Sequence, residues 1–356
     1  MKRAMNQKPP APAALQSLHD ILARFPRAPL AHTPTPLEKL SRLSDDFTPH
    51  ALYVKRDDCT GLAMGGNKAR QLEFYLGEAL ERGCDCVLST GAVQSNAMRT
   101  LAAGAAKLGM ECHVQLEARV NSPSDDYLHS GNVLLDRLFG ARVHHYAVGE
   151  DEDGADHALA ARADALTAAG RKPYIIPLGA EHAPTGALGY VRAAGELAQQ
   201  IARGAPPIDL IVVGSGSGLT HAGLLTGLAL LGVRIPVLGV CVRRDADQQR
   251  RRVIARCRHL ADMLEVSGTV EESAVWVDDS ALAPGYGCAS AQVVRDIRRL
   301  ATREGLLTDP AYSGKTFSAV FHLIDSGQLG RFRHIAVIHT GGTPALFGYR
   351  REVLDG

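Results

Sequence analysis

The chain has 356 residues, 46% of them hydrophobic and 22% charged, with a formal net charge of +1. This length accommodates two compact lobes or one large α/β domain. The near-zero charge removes the electrostatic case for a nucleic-acid partner, and no run of about 18 uncharged apolar residues is present to span a membrane. The seven scattered cysteines read as reduced thiols of a cytoplasmic protein rather than a disulfide framework. The one close pair, Cys84 and Cys86, lies beside an apolar run and reads as core thiols. No metal site is expected.

Residues 1–28 open with a Pro/Ala-rich stretch that lacks an apolar signal core, and they are expected to form a mobile N-terminal tail. Leu52-Tyr53-Val54 predicts a short strand, followed by a glycine loop and a helix over 69–82 with Leu72, Leu76 and Leu80 on one face. Cys86–Ser89 is the next strand, and a small-residue helix over 97–108 comes after Gln94-Ser95-Asn96. Strands at 112–116, 143–146 and 174–177 alternate with a helix at 131–139. A helix over 186–203, the apolar strand Leu210–Val213, a Gly/Ser loop and a helix over 220–231 follow. Strands at 237–240 and 335–338 complete the pattern. Short β-branched runs separated by helices, without hairpin spacing, argue for parallel sheets covered on both faces. The run Arg250-Arg251-Arg252, with Arg256 and Arg258, reads as a solvated helix face paired with Asp245, Asp247 or Asp262.

Gly65-Gly66-Asn67-Lys68 carries the most chemical information. Arginine is the default cation here, 31 residues against eight lysines, yet a lysine stands after two glycines that allow close backbone approach. Asn67 reads as the N-cap of the following helix. The positive end of a helix disfavours an ammonium, and burial lowers its pKa further. A neutral amine can bond to a carbonyl cofactor, which a guanidinium cannot do. Alone, the same lysine also reads as a solvated charge at a helix start.

Gly214-Ser215-Gly216-Ser217-Gly218-Leu219-Thr220, between an apolar strand and a helix, offers backbone N–H groups and hydroxyls to an anion. A dinucleotide fingerprint requires glycine where Leu219 stands and an acid about 20 residues on. The next strand instead ends in Arg243-Arg244, which suits a 2′-phosphate; a phosphomonoester fits the loop better, and a structural turn remains a third reading. Thr340 ends another strand and can hydrogen-bond a neutral ring nitrogen. Ser95 and Asn96 read either as helix caps or as polar groups aimed at a ligand. Tyr286 and Tyr312 stand in Gly- and Pro-rich loops and serve either as packing or as acid–base groups.

Together these segments resemble the D-cysteine desulfhydrase and 1-aminocyclopropane-1-carboxylate deaminase family. The resemblance rests on Val54-Lys55-Arg56-Asp57-Asp58, Gly65-Gly66-Asn67-Lys68, Gln94-Ser95-Asn96, Ser130-Gly131-Asn132, Pro177-Leu178-Gly179 and Gly186-Ala187-Leu188-Gly189-Tyr190. It continues through the 214–220 loop, Pro284-Gly285-Tyr286-Gly287, Asp309-Pro310-Ala311-Tyr312 and His339-Thr340-Gly341-Gly342. It implies the α/β fold type II of pyridoxal 5′-phosphate (PLP) enzymes, the tryptophan-synthase-β-like fold, with two lobes of mainly parallel sheet. Residues 29–70 and 181–356 would form the large PLP-binding domain and 71–180 the small one. The resemblance further implies that Lys68 holds PLP covalently and that Asn96 contacts its 3-oxygen. Ser217, Gly218, Leu219 and Thr220 would bind the phosphate, and Thr340 would face the pyridine nitrogen. Ser95 would contact the substrate carboxylate or assist at Cα, while Tyr286 and Tyr312 line the substrate side. A small amino-acid substrate and a homodimer are part of the same implication.

Three positions depart from the family pattern. Ala97 stands where the desulfhydrase branch has His, Ser313 where the deaminase branch has Glu, and Ser-Gly-Leu-Thr where relatives have Ser-Ala-Gly-Thr. The expected reaction is α,β-elimination from a β-substituted amino acid, with Lys68 moving the Cα proton. Its products are pyruvate, ammonia and sulfide. The alternatives are cyclopropane-ring deamination, sulfite release from cysteate, an NADP-dependent oxidoreductase using Arg243-Arg244, and a catalytically silent PLP-binding protein.

Overall fold

Two separate sheets carry the strands of the computed structural model, which describes residues 10–355 except 122, 204–206 and 267. In chain order the strands are β1 (Leu37–Lys39), β2 (Ala51–Lys55), β3 (Cys86–Ala92), β4 (Glu111–Glu117) and β5 (Arg142–Tyr146). Then come β6 (Pro173–Ile176), β7 (Leu210–Ser215), β8 (Val237–Cys241), β9 (Val275–Asp278) and β10 (His334–Ile338). The larger sheet has the order β1-β2-β10-β7-β8-β9, and the smaller one β5-β4-β3-β6. Strand β1 pairs antiparallel with β2, and the other pairings are parallel.

The central strands are continuous apolar runs because helices cover both faces of each sheet. Val337 lies between Val54 and Val212 in register, and all three are fully buried. Every residue of β3 is buried as well. Parallel pairing aligns the carboxyl ends of β2, β10 and β7 along one edge of the larger sheet. The chain leaves those ends as the Lys68 loop, the Thr340 turn and the Gly/Ser loop.

Helices at Asn96–Leu108, Leu188–Ala202 and Leu219–Leu230 follow the sequence-based expectation closely. Two expectations need correction. Pro12–Ala23 is a helix, not a tail, and its Leu18 and Leu22 are buried in the main core; residues 1–9 lie outside the described residues. The helix Asn67–Glu81 continues unbroken across residues 70 and 71. The arginine-rich helix Ala246–Leu264 is not simply solvated. Arg252 and Arg256 turn inward and donate to the Leu178 carbonyl, and Arg256 also holds the carbonyls of Gly179 and His182. Of the remaining arginines, Arg250 bonds the Glu272 carbonyl and Arg258 pairs with the Glu272 carboxylate.

A buried ionic cluster lies beneath the loop edge. Arg70 meets Asp57 and Glu196 at 2.9 Å each, and Lys55 meets Glu196 at 2.5 Å. Tyr190 and Thr35 donate to the two Asp57 oxygens at 2.5 and 2.7 Å. Two cations and two carboxylates neutralise one another, which is the condition for keeping charge in a dry interior. Burial alone would raise the pKa of both carboxyls, but Arg70 and Lys55 more than offset it and hold both below their usual values. Their stabilisation is therefore present above the ordinary carboxylate range and is lost as pH falls through the depressed folded-state values. Asp57→Asn is expected to cost about 3–5 kcal/mol in urea unfolding of the cofactor-free protein and to flatten its acid-unfolding limb. A loss under about 1 kcal/mol would mean that the cluster behaves as a surface pair.

Candidate active site

Lys68 is the second residue of the helix Asn67–Glu81, which begins at Gly66 without a side-chain cap. Asn67 is not the N-cap. Its amide instead donates to the Thr220 hydroxyl at 3.0 Å, tying the lysine helix to the Gly/Ser loop. Gly65 has φ of +71°, and a Cβ there would lie 1.8 Å from the Asp58 carbonyl oxygen. The backbone N–H of Asn67 donates to the Thr340 carbonyl, so the helix start is pinned against the end of β10. The Lys68 amine donates to Gln71 Oε1 at 3.2 Å and meets no carboxylate among the described residues. Burial pushes its pKa down to about 8.

The pocket around this amine contains Asn67, Ser95, Asn96, Ser217, Gly218, Thr220, Tyr286, Tyr312 and Thr340. Nine of the ten predicted site residues thus line one cavity, counting Lys68 itself. The tenth, Leu219, contributes only its backbone at the helix start, because its side chain packs in the core and into a neighbouring apolar cavity.

The Gly/Ser loop is built to receive an anion. Gly218 has φ of +84° and begins the helix Leu219–Leu230 with no side-chain cap of its own; the Leu219 N–H makes one long bond of 3.5 Å to Ser217 Oγ, and the helix start otherwise keeps its donors for a ligand. Thr220 Oγ1 accepts from both Asn67 and Gln71, at 3.0 and 2.8 Å. Both lone pairs are then used, and the hydroxyl proton is the group left to donate. Arg244 and Arg252 hold the carbonyls of Gly216 and Ser217 from behind. Arg243 and Arg244 both pair with Glu152 at 2.5 Å, so they are not a free 2′-phosphate site.

Asn96 opens the helix Asn96–Leu108, whose cap is Ser95 accepting from the Met98 N–H. Asn96 Oδ1 accepts from Arg99 at 2.8 Å and from Asn132 at 3.0 Å. With its oxygen occupied, the amide NH₂ of this pocket-lining residue is the group left over to donate. Fully buried Arg99 also donates to the Gly65 carbonyl at 2.9 Å, joining the Asn96 and Lys68 loops. Burial pushes its pKa down to about 10.

Thr340 is buried, and its hydroxyl has no hydrogen bond among the described residues. The Tyr286 and Tyr312 hydroxyls are 3.1 Å apart, with the rings edge-on. Burial holds the Tyr286 phenol well above its usual pKa, and neighbouring Tyr312 raises it further. Ser313 does not face the pocket: its hydroxyl donates to Asp309 and reaches the Gly341 carbonyl.

Sequence reasoning missed Arg119, Gln71 and Arg99. Gln71 lay one helical turn beyond Lys68, a spacing that could have flagged it. The other two occupy a strand exit and a helix interior that carry no distinguishing local pattern.

Two packed α/β lobes, a strand-end crevice, a buried amine and an open helix N-terminus define an enzyme that binds a phosphorylated carbonyl cofactor. The family model described as pyridoxal-phosphate dependent enzyme matches residues 28–341, and the chain belongs to that family. It is 41% identical over 332 residues to D-cysteine desulfhydrase of Salmonella choleraesuis (strain SC-B67), covering 93% of this chain and 98% of that protein. The D-cysteine desulfhydrase of Salmonella paratyphi C (strain RKS4594) matches with the same identity and coverage. Among solved structures, an ACC deaminase homologue superposes with a TM-score of 0.85 at 36% identity, covering 95% of this chain and 98% of that one. O-ureido-L-serine synthase shares the fold, with a TM-score of 0.63 at 17% identity over 93% of this chain and 94% of that one.

The residues present fit pyridoxal phosphate: an amine for the aldehyde, open N–H groups and a hydroxyl for the phosphate, and an oriented amide for the 3-oxygen. Only the neutral amine attacks an aldehyde, so uptake of the cofactor through Lys68 would depend on the pKa of that amine. Cofactor-free protein is expected to gain the visible band of covalently bound PLP about tenfold faster per pH unit below about 8, with a plateau above. Stopped-flow absorbance measures this, and Lys68→Met should show no band at any pH. A pH-independent rate would mean that the amine is not the titrating group.

Proposed function

We propose that the protein is a lyase that eliminates a sulfur substituent from Cβ of a small amino acid of the D-cysteine type. Water completes the reaction to pyruvate, ammonia and sulfide. The observation that carries this reading is the Lys68 amine facing, across one pocket, a neutral Thr340 hydroxyl and a pair of hydrogen-bonded phenols. Bound PLP supplies the electron sink for the Cα carbanion. Lys68, uncharged above about pH 8, removes the Cα proton as a general base. The Asn96 amide would donate toward the cofactor's 3-oxygen, and Ser217, Gly218, Leu219 and Thr220 would hold its phosphate through N–H and hydroxyl donors. Thr340 accepts or donates one neutral hydrogen bond and places no charge at the ring nitrogen. That absence of charge limits delocalisation of the carbanion and favours prompt loss of the β-substituent. Ser95 serves the substrate carboxylate. Tyr286, kept protonated by burial, donates to the leaving sulfur, and Tyr312 fixes its hydroxyl. The desulfhydrases named above support the substrate class, and the burial of Ser313 away from the pocket weighs against ring-opening deamination.

Arg119 favours a second reading. Its side chain is only 5% exposed, it lines the pocket, and it lies 5.4 Å from the Tyr286 ring centroid. Glu117 accepts from its Nε at 2.8 Å and lies 2.7 Å from Nη2 as an ion pair, yet Nη2 is buried without a hydrogen-bond partner among the described residues. A guanidinium beside the phenols suits a β-substituent that is itself anionic, as in cysteate, whose elimination releases sulfite. Assays of D-cysteine, L-cysteine, cysteate and 1-aminocyclopropane-1-carboxylate for sulfide, sulfite, pyruvate and 2-oxobutyrate decide between the readings. The first predicts sulfide and pyruvate from cysteine. The second predicts sulfite from cysteate, with Arg119→Gln lowering kcat/KM for cysteate at least about tenfold more than for cysteine. Formation of 2-oxobutyrate alone would remove both.

The lobes are read as 29–70 with 181–356, and 71–180, a division supported by the two sheets. The assembly is read as a homodimer, supported by an exposed apolar face on adjacent short helices. There Leu134 is 54%, Phe347 60% and Leu138 73% exposed. Light scattering should give a dimer mass for the wild type and a monomer mass for Leu138→Asp combined with Phe347→Asp. No helix among the described residues is long and apolar enough to cross a membrane, and the seven cysteines are unpaired. The unpaired thiols support the reading of a cytoplasmic location.

A further inference from the structure

Lys315 is a fully buried lysine outside the pocket, on the helix Ser313–Asp325 that starts directly after Tyr312. Its amine donates to the carbonyls of Leu282 and Gly285, each at 2.7 Å. No carboxylate pairs with it among the described residues. The two carbonyls belong to the segment that leads into Tyr286, and Ala283 and Pro284 between them are exposed. That segment has no regular secondary structure between β9 and the helix Ala291–Glu304, so no ladder or helix holds it.

The donor count is informative. A neutral amine has two N–H groups, and two carbonyls receive them. An ammonium would bring a third N–H and a net charge into the interior with no acceptor for either. Burial indeed pushes the Lys315 pKa down to about 8. A buried lysine with no counter-ion contributes little to stability that a methionine of similar length would not, and its geometry serves one loop.

We infer that Lys315 is a positioning residue that sets the Tyr286 phenol against Tyr312 by holding the Leu282 and Gly285 carbonyls. Tyr312 and Lys315 lie one turn apart on the same rigid helix start. Fixing the loop to Lys315 therefore fixes the 3.1 Å separation of the two hydroxyls. Without Lys315 only local turn bonds, from Gly285 N–H to the Leu282 carbonyl and from Cys288 N–H to the Gly285 carbonyl, would hold the loop that carries Tyr286. This inference rests on the role given to Tyr286 above.

The test uses the PLP-loaded enzyme and four forms: wild type, Lys315→Met, Tyr286→Phe and the double variant. Lys315→Met is expected to keep the visible PLP band and to lower kcat at least about tenfold with KM changed less than about threefold. In the Tyr286→Phe background the same substitution should change kcat less than about twofold, because the group it positions is already gone. Independently of activity, hydrogen exchange should speed up in peptides spanning 280–288 and stay unchanged around Lys68. Unchanged exchange in that loop, loss of the PLP band, or effects on kcat that multiply in the double variant would each overturn the proposal. A fully active Tyr286→Phe enzyme would overturn the reading of the phenol and this inference with it. That failure is visible in the single variant, without touching Lys315, and so is told apart from the others.

Discussion

The start of the helix Asn67–Glu81 must be held against two strand ends at once, and the rest of the site depends on that constraint. Gly65 and Gly66 bring the backbone into contact with the Asp58 and Thr340 carbonyls, where a side chain would collide. One turn further on, Arg70 is locked into the neutral cluster with Asp57, Glu196 and Lys55. A helix anchored at both points cannot rotate, so the Lys68 amine is aimed into the crevice. Because the nearby charges are spent on one another, the amine finds no carboxylate of its own. Desolvation then dominates its chemistry and brings its pKa down to about 8, so that a sizeable neutral fraction exists near physiological pH.

The same logic of satisfied partners recurs around the pocket. Thr220 has its oxygen filled by two amide donors, and Asn96 has its carbonyl filled by Arg99 and Asn132. In each case the group facing the ligand is the one left over after protein partners have taken the rest. Hydroxyls and amides become directional in this way: a free rotor has several options, and a half-satisfied one has few. Arg119 follows suit, with Glu117 taking one side of its fork. The pocket therefore presents N–H and O–H donors beside an amine whose pKa burial lowers to about 8.

The lobes are joined by charge as well as by chain. Glu152 at the start of a small-lobe helix receives Arg243, Arg244 and Arg252 from the large lobe. Two of these arginines also grip the Gly216 and Ser217 carbonyls. The orientation of the phosphate loop is thus coupled to the contact between lobes. An arginine run that reads as surface solvation is in fact part of the anion site's scaffold, since the helix places every third or fourth side chain inward.

Much of the fold and site is legible in the residues alone. Apolar runs such as Leu210–Val213 and Ile335–Ile338 are buried on both faces whatever their neighbours, so their order along the chain already implies a parallel sheet. Glycine beside Lys68, and glycines before Thr220, mark places where only backbone can come close to a ligand; these are local properties. The helix at 12–23, the inward arginines, the missing cap role of Asn67 and the reach of Arg119, Arg99 and Lys315 are of another kind. Each depends on which distant carbonyl or carboxylate lies within about 3 Å, and chain folding alone brings those partners together. Residue chemistry and spacing determined that this chain is a PLP-dependent enzyme of two α/β lobes with a lysine at a glycine-flanked helix start. Tertiary packing decided which donors remain free to face the substrate, because hydrogen-bond satisfaction is settled by neighbours in space.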